Sequence, residues 1–123
     1  MSNHFQGAAE ILANATGGPT NWHLLSISFD PDFDTPAVLK SYAAAHNYDA
    51  AHWSFATSSS SNILHLARLC DLTVQRDGAG FTHNLRTVVV DADGKIKNIL
   101  IGNEWTSQEL AQEMTAAAKT PGR

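Results

Sequence analysis

Apolar residues recur every three or four positions at the start of the chain. Phe5, Ala8, Ala9, Leu12 and Ala15 fall on one face of a helix predicted over residues 2–15, and Gly17, Gly18 and Pro19 then supply a left-handed cap and a stop. The pattern changes at His23 to Phe29, a short run rich in Leu, Ile and Phe that predicts a buried strand. Pro31 cannot donate to a ladder and ends it, which leaves Asp30 at the strand's carboxyl end. Thr35 before Pro36 reads as an N-cap with proline at the first helical position. Val38, Leu39, Tyr42, Ala43 and His46 then form a helical stripe, with Asn47 as its terminator.

Trp53 to Thr57 predicts a second short strand. Ser58 to Ser61 with Asn62 reads as a polar loop ending in an N-cap for a helix over Ile63 to Cys70, in preference to a linker or a modification site. Arg86 to Val90 and Ile96 to Ile101 are β-branched runs around Asp91-Ala92-Asp93-Gly94, the strongest hairpin signal in the chain. Thr106 with Glu109 forms a capping box, and Trp105 with Leu110 a hydrophobic staple, for a last helix carrying Leu110, Met114 and Ala117. The order helix, strand, helix, strand, helix, hairpin, helix predicts an α/β arrangement, without fixing which strands are neighbours. No repeat or internal boundary is visible, so residues 1–123 are expected to form a single domain, with 120–123 a flexible tail.

Composition narrows the function. With 43% hydrophobic residues the chain has material for its own core. The net charge is −4 and the eight Lys and Arg are scattered, so there is no electrostatic footprint for nucleic acid. No run is long and apolar enough to span a bilayer, and the N-terminus has no signal-peptide pattern. A single cysteine, Cys70, excludes an intramolecular disulfide, a paired-thiol motif and a cysteine-rich zinc site within one chain. It falls in the apolar pattern Ile63, Leu66, Ala67, Cys70 and is read as a small core residue rather than a nucleophile.

Two segments together resemble one family. Ile27-Ser28-Phe29-Asp30-Pro31 followed by Asp34-Thr35-Pro36 and a helix is similar to the S-x-D-P-x-x-D-T-P stretch of the Sco/SenC proteins. His83, eight residues before Asp91 at the end of a strand ahead of a D-x-D-G turn, is similar to that family's distal copper ligand. The resemblance runs from about Trp22 to the last helix. It implies a thioredoxin-like (glutaredoxin-like) α/β fold, copper as the cofactor, and a part in cytochrome c oxidase assembly as copper chaperone or thiol-disulfide redox protein. It also implies a cytochrome c oxidase subunit or assembly factor as protein partner, and a membrane-anchored location facing the periplasm or the intermembrane space.

The chain departs from the family in its thiols. Sco proteins bind copper through a Cys-x-x-x-Cys pair on the loop opening the first main helix, together with the distal histidine, and this sequence has no such pair. The family would place the motif just before Met1, so the chain resembles a Sco domain truncated after its cysteines, without the central strand that precedes them. Copper(I) is soft and favours thiolate, so His83 alone predicts weak copper binding or none. The other histidines, His4, His23, His46, His52 and His65, show no i,i+4 pair and no His-Glu-x-x-His segment, and are read as structural or surface residues.

Asp30 and Asp34 have two readings, an acidic rim beside the metal loop or plain turn and capping residues. The alternative to a copper domain is a degenerate, non-catalytic thioredoxin-like module that binds a protein. Peroxidase or reductase chemistry at Cys70 would need an exposed thiol of lowered pKa. If the central strand is absent, the strands around Leu25 and Val89 either close on each other or keep open edges, and open edges favour a homodimer.

Overall fold

The computed structural model describes residues 2–46, 49–77, 80–83 and 85–119, with the backbone alone for 74–77 and 80–83. The first helix, α1 (Ser2–Asn14), buries Ala8 and Leu12 on the face that the periodicity predicts. Beyond it the chain turns at Gly17, whose φ of 71° lies in the left-handed region where a side chain is disfavoured.

Strand β1 (Leu24–Ile27) and strand β2 (Trp53–Ala56) pair in parallel, Leu24 opposite Trp53 and Ile27 opposite Ala56. A parallel pair needs a crossover, and α2 (Pro36–Ala44) supplies it, packing on β2. Thr35 caps α2 as its sequence predicts, its hydroxyl accepting from the Val38 amide at 3.4 Å. Of the expected α2 stripe only Ala43 is buried, while Val38 and Tyr42 are exposed, because the helix meets the sheet over a narrow strip. Asn47 lies outside the described residues; the helix is capped at Ala45.

Helix α3 (Ser60–Leu69) begins inside the serine run, where the Ser59 hydroxyl accepts from the Asn62 amide at 3.3 Å. Its one buried residue is Ala67, and Cys70 caps its end. A hairpin absent from the predicted order follows, β3 (Val74–Asp77) against β4 (Gly80–His83). Its strands are short and mostly polar, so neither carries the apolar run by which strands are found.

The hairpin of β5 (Arg86–Val90) and β6 (Ile96–Ile101) has the predicted bounds. The Gly94 amide donates to Asp91 O at 3.0 Å, and Gly94 has a φ of 81°, the conformation that closes a three-residue hairpin loop. In α4 (Ser107–Ala118) the Thr106 hydroxyl accepts from the Glu109 amide at 3.1 Å, and Trp105 and Leu110, the staple pair, are both buried.

Helices α1 and α4 pack together, and Ala8, Leu24, Trp53, Val89, Trp105, Leu110 and Ala117 form one buried cluster. The two indole N–H groups are not stranded in it: Trp53 Nε1 donates to Ser26 Oγ and Trp105 Nε1 to Gly102 O, each at 3.0 Å. Burying each large apolar side chain contributes roughly 1.5–3 kcal/mol, so this cluster is the main cohesion between the strands and the two terminal helices.

The described strands form three separate two-stranded sheets, β1–β2, β3–β4 and β5–β6. β1 and β5 therefore do not close on each other, and of the two arrangements expected for these edges the open one is found. This also corrects the expectation of a fully buried first strand: Leu25 is 51% and Ile27 41% exposed, while Leu24 is buried.

Candidate functional site

The run from Ser28 to Pro36 folds as one hydrogen-bonded turn at the carboxyl end of β1. The Ser28 hydroxyl donates to Asp34 Oδ2 at 2.5 Å and accepts from the Asp30 amide at 3.0 Å. The Asp34 amide donates back to Asp30 O at 2.8 Å. The Asp34 carboxylate thus ties the turn to the end of the strand. Asp30 contributes its backbone to the same tie, and both aspartates are half-buried. Phe33 stands out between them, 69% exposed.

His83 ends β4, in register opposite Val74, three positions before Arg86 opens β5. Its side chain lies outside the described residues. Among the described residues no three His, Cys, Asp or Glu side chains gather as a metal site.

The other histidines are placed by local contacts. His23 Nε2 and Ser54 Oγ are hydrogen-bonded at 2.7 Å. His52 Nδ1 lies 2.9 Å from Trp22 O, and its ring stacks on the Trp22 indole with centroids 3.9 Å apart. His4 packs on Trp105 and His46 on Tyr42. His65 is exposed on α3.

Between β1 and β5 lies a cleft of about 1110 Å³. Strand β1 forms one long edge and β5 the other. Phe5 of α1 and Leu110 of α4 reach it, as do Leu39 of α2 and Leu66 of α3, so its lining is mostly apolar. Asp34 stands on its rim. Cys70 lies on its wall, half-buried rather than in the core, and burial pushes its thiol pKa up. A protonated thiol is a poor nucleophile and a poor metal ligand, so this environment opposes peroxidase chemistry.

Sequence reasoning offered open edges at β1 and β5 as one of two arrangements but not the apolar cleft between them, and Leu25, Ile27, Val88 and Val90 are the residues that could have revealed it. Strands with apolar residues on both faces are built for burial on both faces, yet Leu25, Ile27 and Val90 remain exposed.

The SCO1/SenC family model matches residues 3–119. No curated protein matches the chain. Among solved structures it is similar to a SCO1/SenC family lipoprotein from Bacillus anthracis, at 20% identity and a TM-score of 0.81 over 96% of this chain and 71% of that one. It is also similar to Arabidopsis thaliana ScoI with copper bound, at 15% identity and a TM-score of 0.76 over 94% and 71% of the two chains. Bradyrhizobium japonicum ScoI with copper bound gives 20% identity and a TM-score of 0.63 over 94% and 70%. The α/β architecture is thus the thioredoxin-like fold of these proteins.

Proposed function

The chain belongs to the SCO1/SenC family, and from that membership we propose that it is the scaffold part of a copper-binding domain, with His83 at the ligand position. The family match over residues 3–119 carries this reading. The two copper-bound ScoI neighbours support copper as the metal, and the Bacillus anthracis lipoprotein supports a membrane-tethered, extracytoplasmic setting. No described helix is long and apolar enough to cross a membrane. The cellular role we assign is the family's part in cytochrome c oxidase assembly, with an oxidase subunit or assembly factor as partner.

The chain's own donors do not fit a tight copper(I) site. Such a site is held mainly by thiolates, and the one cysteine here has its thiol pKa pushed up by burial. On this reading the chain alone binds copper weakly. Asp30 and Asp34 shape the rim through the Ser28 turn rather than holding metal.

The test is a copper(I) competition titration against a chromophoric chelator, with His83→Ala and Cys70→Ser alongside. The expected result is no competition from the chain. Tight stoichiometric binding that is lost in His83→Ala would overturn the weak-binding reading and give this chain a working site, assembled between copies in a homodimer. A second reading, a protein-binding module without redox chemistry, is favoured by the open cleft.

A further inference from the structure

A second recess, of about 140 Å³, opens between α1 and the start of β2 and shares only Trp22 with the cleft beside β5. Helix α1 lines it with Gln6, Ala9 and Glu10, which helical spacing puts on one face, and the segment entering β2 lines it with Asp49 and His52. Two carboxylates therefore reach the same small space from different elements.

Local bonds hold these walls in place. Asp49 O accepts from the His52 and Trp53 amides at 3.0 and 2.9 Å, and Asp49 Oδ1 accepts from the Ala51 amide at 3.1 Å. The Trp22 and His52 rings, 14° from parallel, supply an aromatic wall. Neither Asp49 Oδ2 nor the Glu10 carboxylate has a hydrogen-bond or ion-pair partner among the described residues, and no Lys or Arg lines the recess.

Size, charge and shape select the occupant. Pockets for small molecules usually hold about 300–1,000 Å³, so this one admits the head of a single side chain and no cofactor or metabolite. Two carboxylates with no cation beside them call for a positive charge. Among the described residues no three metal-ligating side chains converge, so that cation is organic. An ammonium is a strongly hydrated point charge, whereas a guanidinium is planar, weakly hydrated, suited to aromatic rings and able to donate to two acceptors at once. The carboxylates alone would be ordinary solvated surface; the recess and its aromatic wall make them a site.

We propose that this recess takes the guanidinium of one arginine side chain on a partner protein, held between the Glu10 and Asp49 carboxylates and against Trp22 and His52. This inference does not depend on the copper reading, and its test reads no copper.

The probe is the blocked tripeptide acetyl-Gly-Arg-Gly-amide, titrated into the isotope-labelled chain and followed by NMR, with its citrulline and lysine analogues beside it. Citrulline keeps the shape of arginine without the charge, and lysine keeps the charge without the planar fork. The arginine peptide is expected to shift the Trp22 indole and the Ala9 and Ala51 amides along one saturable curve, with affinity roughly fivefold above either analogue. Glu10→Gln and Asp49→Asn are each expected to weaken it about three- to fivefold, the range of a part-exposed ion pair. Glu104→Gln, on exposed surface outside the recess, is expected to leave it unchanged. Glu10 is exposed on α1, so its variant reads the charge even where Asp49→Asn disturbs the turn.

Equal binding of the citrulline peptide would make the recess an apolar groove, and equal binding of the lysine peptide would make it a patch of diffuse negative charge; either overturns the proposal. So does the absence of saturable shifts at these residues up to the solubility limit of the peptide. Arginine binding that survives Glu10→Gln and Asp49→Asn together overturns it equally.

Discussion

Lys97 Nζ stands 3.4 Å from Asp91 Oδ2, and the Asp91 side chain is only 1% exposed. The other carboxylate oxygen accepts from the Asp93 and Lys95 amides at 2.9 and 3.0 Å. The Lys95 amide is the foremost cause holding the Asp91 pKa down, the Asp93 amide and Lys97 add to it, and desolvation opposes them. A carboxylate whose pKa is lowered by folding stabilises the fold above its unfolded pKa, and that contribution is lost as pH falls through it. Thermal unfolding should therefore show Tm falling as pH drops below about 4. Asp91→Asn should lower Tm at pH 7 and flatten that acid limb.

The Thr106 hydroxyl holds the first turn of α4 through the Glu109 amide. Thr106→Ala should cost about 1 kcal/mol in urea unfolding, and Thr106→Ser should recover most of it.

Gly7 lies where α1 meets α4, and a Cβ there would meet the Ser107 Oγ. That hydroxyl donates to His4 O at 3.0 Å, so it cannot swing aside without losing a bond. In an open helix Gly7→Ala would gain about 0.5–1 kcal/mol. Here it should destabilise, and Ser107→Gly in the same chain should restore the gain, as a double-mutant cycle by denaturant unfolding would read.

Burial raises the Cys70 pKa, so the thiolate fraction at neutral pH is below that of free cysteine. Alkylation by iodoacetamide at pH 7.5 should be severalfold slower than for a cysteine-containing peptide. The rate should still be climbing at pH values where the peptide has levelled off. A rate that exceeds the peptide's would mark a reactive thiol instead.

Features that depend on local chemistry were legible in the sequence. Thr35 and Thr106 each cap a helix through their hydroxyls, and the Asp91 to Gly94 turn closes between strands with the predicted bounds, whereas α3 starts at Ser60 under a Ser59 cap, three residues before the expected Ile63. What was not legible depends on which elements meet. Leu25 and Ile27 carry the residue types of a buried strand, yet their exposure depends on the space between β1 and β5, which no local pattern encodes. Cys70 follows an apolar stripe, yet α3 buries only Ala67 along it. Of the β3–β4 hairpin only the strand ending at His83 was read, and β3 is too polar to announce itself; of the candidate site His83 could be placed only by its backbone register opposite Val74.

The pairing of α1 with α4 has a consequence for how the protein is made. Ser107 reaches back to His4 across 103 positions, and Leu110 and Ala117 complete a cluster that Ala8 begins. On the ribosome the early strands and α1 emerge first, with their apolar faces uncovered. The core cannot shut until α4 has cleared the exit tunnel. The nascent chain is therefore exposed to aggregation and to chaperones until α4 emerges, and closure waits for that helix.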